Sequence, residues 1–226
     1  MRQLIRIAMS FKAPDSLAEQ IAQHLSQRII RGELKPCERI QEIKVTSELN
    51  VSRGSVREAL LILQRRHLVT IPPRRGAMVA ELTAHHVQAL YALVKELYML
   101  LAAEVAGTWQ HDSELDVFVG IQRGLLQAAQ EQDVQRFVEN SFEILHAGLT
   151  FVDNPYLRDV VLNLLPAIQR TYFFSLARRQ GEMHTFLDTY ARLLQAIRQR
   201  DQATARHVMD EYAQHNCALV IAALNQ

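Results

Sequence analysis

The chain has 226 residues, a formal net charge of +1 and 49% hydrophobic residues, enough for two domains of ordinary size with separate cores. Its two cysteines, Cys37 and Cys217, are far apart and offer neither a metal-type spacing nor an expected disulfide. No uncharged apolar run approaches the ~18–20 residues of a membrane helix, and the charged start MRQLIRIAMSFK is no secretory signal, so a cytoplasmic chain without membrane contact is expected.

In chain order, residues 1–13 read as a flexible arm. Leu17, Ile21, Leu25 and Ile29 form an i, i+4 stripe, with Asp15 or Ser16 as cap and Gly32 closing the helix. Residues 40–49 form a second, shorter helix that stops at Asn50. Ser52 is placed to cap a third helix, in which Val56, Ala59, Leu60 and Leu63 mark one buried face. Residues 68–71 and 77–80 then read as short strands on either side of the basic turn PPRRG. Residues 14–80 are expected to be a winged helix-turn-helix of three helices and a small β-wing.

Such a domain inserts its third helix into the major groove with the N-terminal residues at the base edges. Arginine there can form two hydrogen bonds to guanine O6 and N7, worth about 1–3 kcal/mol of discrimination. The candidate DNA contacts are Ser52, Arg53, Ser55 and Arg57 on that helix, Lys44 on the one before it, and Arg74, Arg75 and Gly76 in the wing. Any one of these arginines also fits a solvated basic edge; the order of the parts is what favours DNA. Charge agrees. Residues 1–80 carry 14 Lys+Arg against 7 Asp+Glu, and residues 81–226 carry 11 against 17, so a near-neutral total hides a basic module joined to an acidic one.

Beyond Thr83 the periodicity is helical almost throughout. Segments are expected over about 90–107, 112–130, 133–152, 155–179, 186–200 and 203–223, with Pro155 in the first turn of its helix. Residues 81–226 therefore read as an all-helical bundle of six or seven helices, and the whole chain as mainly α. No nucleophile, acid–base pair or phosphate loop stands out, so no enzyme and no catalytic residue are expected. Two alternatives remain: a helical metalloenzyme, suggested only by His146 and nearby acids, and a constitutive DNA-binding dimer whose bundle holds no ligand.

Several spaced motifs carry a resemblance. Residues 30–36 (IRGELKP), 39–42 (RIQE), 49–53 (LNVSR), 56–60 (VREAL) and 74–77 (RRGA) with Val79 resemble the N-terminal domain of GntR-family transcription regulators. Cys37 and His67 stand where that family has glycine, and Gly54-Ser55 where it often has Thr-Pro. Leu145-His146, Leu149, residues 154–157 (NPYL), Ala196-Ile197 and Asp201 followed by Ala205 resemble the FCD ligand-binding domain of the FadR-type branch.

The resemblance implies a homodimer on a palindromic operator in double-stranded DNA, controlled by a small-molecule effector, and a repressor as the more common mode. In many relatives an Asp and three His hold a divalent metal in the bundle. Carried over, those positions fall on Phe142, His146, Tyr190 and Tyr212, and a common arginine falls on Val94. Only His146 can ligate a metal, so no metal cofactor is expected, although Glu143 and His215 would supply ligands in a shifted register. The candidate effector-binding residues are Val94, Phe142, His146, Arg170, Tyr190 and Tyr212. The more apolar and aromatic cavity they imply suits a carboxylate or acyl effector. His146 equally fits a core histidine, Arg170 a surface residue, and the Tyr172–Phe174 cluster packing.

Overall fold

The computed structural model describes residues 16–225; the arm at 1–13 and the alternative cap Asp15 lie outside them. Helix α1 (Leu17–Ile30) starts where Ser16 Oγ accepts from the Glu19 amide at 3.2 Å. Its buried face is Ala18, Ile21, Ala22, Leu25 and Ile29, while Leu17, expected on that stripe, is 49% exposed. Helix α2 (Glu42–Leu49) ends at Asn50, which takes a left-handed conformation. Helix α3 (Arg53–Arg65) is capped by Ser52, whose hydroxyl accepts from the Ser55 amide at 3.1 Å, and it buries Val56, Ala59, Leu60 and Leu63. Strands β1 (Val69–Thr70) and β2 (Met78–Val79) pair antiparallel, Val69 opposite Val79, and Arg39 adds a bridge to Met78. These parts close on one core formed by residues such as Leu25, Val45, Leu60, Leu68 and Val79.

Besides Asn50 and Arg74, two turns in this domain are left-handed without glycine: Cys37 at φ 63° and His67 at φ 58°. These are the positions at which the resemblance marked a missing glycine. A side chain there costs roughly 1–2 kcal/mol, because Cβ crowds the following carbonyl.

Among the described residues the second domain contains seven α-helices. Helix α4 (Ala84–Thr108) is capped by Thr83 and runs the length of the domain beside α10 (Gln202–Leu224). A short 3-10 turn leads into α5 (Asp116–Gln130), which packs on α6 (Val134–Leu149). Helix α7 (Pro155–Phe174) has Pro155 in its first turn, and its cap Asn154 accepts from two amides at 3.0 and 3.1 Å. The helix expected to continue to about residue 179 instead breaks at Ser175, whose hydroxyl donates to Thr171 O. A single turn, α8 (Leu176–Arg179), precedes α9 (Met183–Arg198). The bundle core runs from Val94 through Phe118, Phe137 and Ile168 to Val208. No helix among the described residues is long and apolar enough to cross a membrane.

The two domains meet where α1 packs on α7. Arg170, buried at this seam, donates from Nη2 to the carbonyl of Ala80 at 2.7 Å. That bond fixes the chain just before α4 begins.

Candidate nucleic-acid interface and bundle cavity

The first site is a surface. Ser52, Arg53 and Arg57 are exposed along the start of α3, Lys44 is exposed on α2, and Arg74 and Arg75 are exposed at the wing tip. Among the described residues no ion pair engages Lys44, Arg53, Arg74 or Arg75. Unpaired arginines on a helix N-terminus and an adjacent turn have the charge and reach that phosphate and base-edge contacts require. Two expected contacts are partly occupied. Arg57 Nε donates to Glu42 Oε2 at 2.9 Å, and Ser52 and Ser55 share a hydroxyl–hydroxyl bond at 2.9 Å.

The wing turn depends on Gly76, which sits at φ 76°. A Cβ there would lie 3.5 Å from Nε and Nη2 of Arg39, so the guanidinium of Arg39 lies over the turn. Arg39, from the 39–42 motif, adds an exposed cation beside the wing. The signal that identifies it is pairing: it bridges Met78 and so shares an edge with the wing.

The second site is internal. A cavity of about 90 Å³ lies inside the bundle, with Tyr98, Phe142, Leu145, Tyr172, Tyr190 and Tyr212 among its walls. Three of the six expected effector residues line it: Phe142, Tyr190 and Tyr212. The other three do not. Val94 is fully buried in the core, and the cavity face of α4 begins one turn later at Tyr98. His146 is exposed, because the inward stripe of α6 is centred on Ser141, Phe142, Leu145 and Gly148 and leaves position 146 at its outer edge. Arg170 serves the domain seam.

The phenols are held neutral. Burial raises the pKa of Tyr98, Tyr172, Tyr190 and Tyr212 above the ordinary tyrosine range, and for Tyr172 the neighbouring Tyr212 hydroxyl adds to the effect. The Tyr190 hydroxyl donates to Phe118 O at 3.0 Å and fastens α9 to α5. The Tyr172 and Tyr212 hydroxyls bond to each other. A divalent metal needs carboxylate, imidazole or thiolate ligands. Among the described residues no three His, Cys, Asp or Glu side chains gather to supply them. The donor set of this cavity does not fit such an ion.

Sequence reasoning missed Tyr98 and set Tyr172 aside as packing, and both line the cavity. Tyr98 follows Val94 by one turn and so lies on a stripe already recognised.

The chain matches two family profiles. "Bacterial regulatory proteins, gntR family" matches residues 17–79, and the FCD domain matches residues 89–215. The HTH-type transcriptional regulator McbR of Escherichia coli is 24% identical over 216 residues, covering 93% of this chain and 96% of that protein. A solved structure of E. coli McbR/YncC superposes with a TM-score of 0.80 at 22% identity, covering 94% of this chain and 100% of the other. YdhC of Bacillus subtilis, described as an uncharacterized HTH-type transcriptional regulator, is 22% identical over 204 residues, or 88% of each chain. The gluconate operon transcriptional repressor of the same species is 25% identical over 199 residues, covering 83% of this chain and 78% of that protein.

Proposed function

The chain belongs to the GntR family of bacterial regulatory proteins and carries the FCD domain, and from that premise we propose that it is a ligand-responsive repressor acting as a homodimer on a palindromic operator. Its domains and relatives are those of transcription regulators, a family without enzymatic activity. The observation that carries the DNA-reading role is the row of exposed, unpaired cations from Lys44 and Arg53 to the Arg74–Arg75 wing tip. Two copies on a two-fold axis would place two recognition helices about one helical turn apart on DNA. A gluconate operon repressor among the relatives supports repression as the mode. The protein would act in the cytoplasm, where the chromosome is accessible.

The effector is read as a small organic acid bound without a metal. A long acyl chain is disfavoured, because the bundle cavity of about 90 Å³ is smaller than the roughly 150 Å³ that admits benzene. The same observation supports a second reading, a constitutive DNA-binding dimer whose bundle is filled by its own tyrosines. Titrating an operator fragment with and without candidate acids separates the two. A ligand-dependent change in affinity supports the switch, and an affinity indifferent to every acid supports the constitutive dimer. Elemental analysis tests the metal-free reading, which a stoichiometric bound metal contradicts.

A further inference from the structure

Arg39 lies outside both the recognition helix and the wing turn, yet backbone pairing fixes it against the wing. It bridges Met78 of β2, and the bonds on either side of it are made: Val79 N donates to Glu38 O at 2.9 Å, and Ile40 N donates to Ala77 O at 2.9 Å. Ile40 is buried and Arg39 exposed, the alternation of an extended chain. Gly76 is the diagonal neighbour across this pairing, a position that a long side chain can reach. Nε and Nη2 of Arg39 both lie 3.5 Å from where a Cβ of Gly76 would stand, so the guanidinium rests on a turn residue that has no side chain.

Its charge is unmatched. No acid among the described residues pairs with Arg39, Arg74 or Arg75. Glu38, the acid next to Arg39 in the chain, is engaged elsewhere: its Oε2 accepts from the Lys35 amide at 2.8 Å. Guanidinium groups gathered around one turn repel each other, and an outside anion relieves that repulsion. The three differ in one respect. Arg74 and Arg75 stand on the loop itself, whereas Arg39 is carried by paired backbone and lies along the turn. A cation already held in place gives up little side-chain freedom on binding, and a planar guanidinium is less strongly hydrated than an ammonium. Both properties suit entry into a confined groove.

Strand β1 packs against α3. With the start of α3 in a major groove, the turn that follows β1 would meet the neighbouring minor groove. That groove is about 6 Å wide, and over A·T tracts it is narrower still and more negative. We infer that Arg39 reads the width of the minor groove flanking each half-site: its guanidinium enters where an A·T tract narrows the groove, while Arg74 and Arg75 hold phosphates. The inference rests on the DNA-reading role and adds to it a preference at base pairs outside the reach of α3.

Anisotropy titration of the full chain against three forms of an operator recovered by selection tests it. The half-sites stay constant, and the base pairs beside them are A·T, G·C or inosine·C. Inosine·C keeps the major-groove edge of G·C but lacks the 2-amino group, so its minor groove resembles that of A·T. The A·T and inosine·C flanks should bind alike, and the G·C flank at least about fivefold more weakly. Arg39→Ala should bind all three alike while keeping its preference for the half-site. Arg39→Lys, which keeps the charge and the stem over Gly76, should lose most of the flank ratio, and it decides the question if Arg39→Ala does not fold. Arg74→Ala combined with Arg75→Ala should weaken all three equally and leave the ratio. A native chain indifferent to the flank overturns the inference, as does an undiminished ratio in Arg39→Ala or Arg39→Lys. Inosine·C binding as weakly as G·C also overturns it, because the flank would then be read at its major-groove edge. Scrambling the half-site separates the two readings: a native chain that ignores the scrambling fails the DNA-reading role as well, whereas one that detects it but ignores the flank fails this inference alone.

Discussion

Arg57 on the recognition helix and Glu42 on the helix before it are joined by an ion pair at 2.9 Å, so an arginine expected to read bases is braced by a carboxylate one element away. The Arg57 side chain is 69% exposed, and exposed pairs of this kind contribute about 0–1 kcal/mol to stability. The value of the pair lies in direction: it holds the guanidinium against α2 before DNA arrives. Glu42→Gln is expected to leave Tm almost unchanged and to relax base preference at one operator position. Binding to a set of single-base operator variants checks this, and an unchanged preference profile would count against a reading role for Arg57.

Arg53 has no such brace and stands one turn nearer the helix start. Arg53→Ala should weaken operator binding by about 1–3 kcal/mol and flatten the preference at its own base pair. In contrast, Arg74→Ala and Arg75→Ala should weaken binding uniformly across sequences and each reduce the salt slope by about one, as expected for phosphate contacts. Titrations at several salt concentrations distinguish the two behaviours.

The left-handed turns at Cys37 and His67 yield a stability prediction. Both side chains are exposed, so little packing is lost on removing them. Glycine relieves the roughly 1–2 kcal/mol conformational cost but adds flexibility to the unfolded chain. Cys37→Gly and His67→Gly should each stabilise the protein by about 0.5–1 kcal/mol in urea unfolding. A loss of stability would show that these side chains hold the turns in some other way.

Much of the DNA-binding domain was legible because each of its elements carries a local signal. Ser52 caps, the spacing from Val56 to Leu63 is strict, and Asn50 and Gly76 mark left-handed turns. The bundle was legible as helices but less so as a site. Register within a helix decides which residues face a cavity, and a slip of one residue moved His146 outward in favour of Leu145. Arg170 was beyond reach for another reason. Its partner, Ala80, lies 90 positions away, and no periodicity within a helix reports such a contact.

Arg170 also carries a prediction on coupling between the domains. It is buried at the seam, and burial pulls its pKa below the ordinary arginine value while its bond to Ala80 O stays in place. Arg170→Met should lower stability by about 1.5–3 kcal/mol, the usual range for a hydrogen bond to a charged group. Amide exchange should rise first around residues 80–83, ahead of the bundle core.

The pH dependence has a defined sign at Asp201, which caps α10. Its carboxylate accepts from the Thr204 hydroxyl at 2.6 Å and the Thr204 amide at 2.9 Å, and these bonds lower its pKa below the ordinary aspartate value. A depressed native pKa stabilises the fold above the unfolded value and loses that contribution as pH falls through the native one. Asp201→Ala should therefore lower Tm at neutral pH, and the difference should shrink as the medium is acidified below the ordinary aspartate range. A Tm difference that does not change with pH would contradict the charged cap.

The central claim is that the exposed arginines of α3 and the wing read a defined DNA sequence. Fragments recovered by selection from genomic DNA provide an operator, and fluorescence anisotropy of that operator against a scrambled duplex measures the claim directly. The account predicts binding at least about 10³-fold tighter to the operator at physiological salt, falling steeply as salt rises and weakened by about 1–3 kcal/mol in Arg53→Ala. Equal affinity for the two duplexes, or binding unaffected by Arg53→Ala, would contradict it.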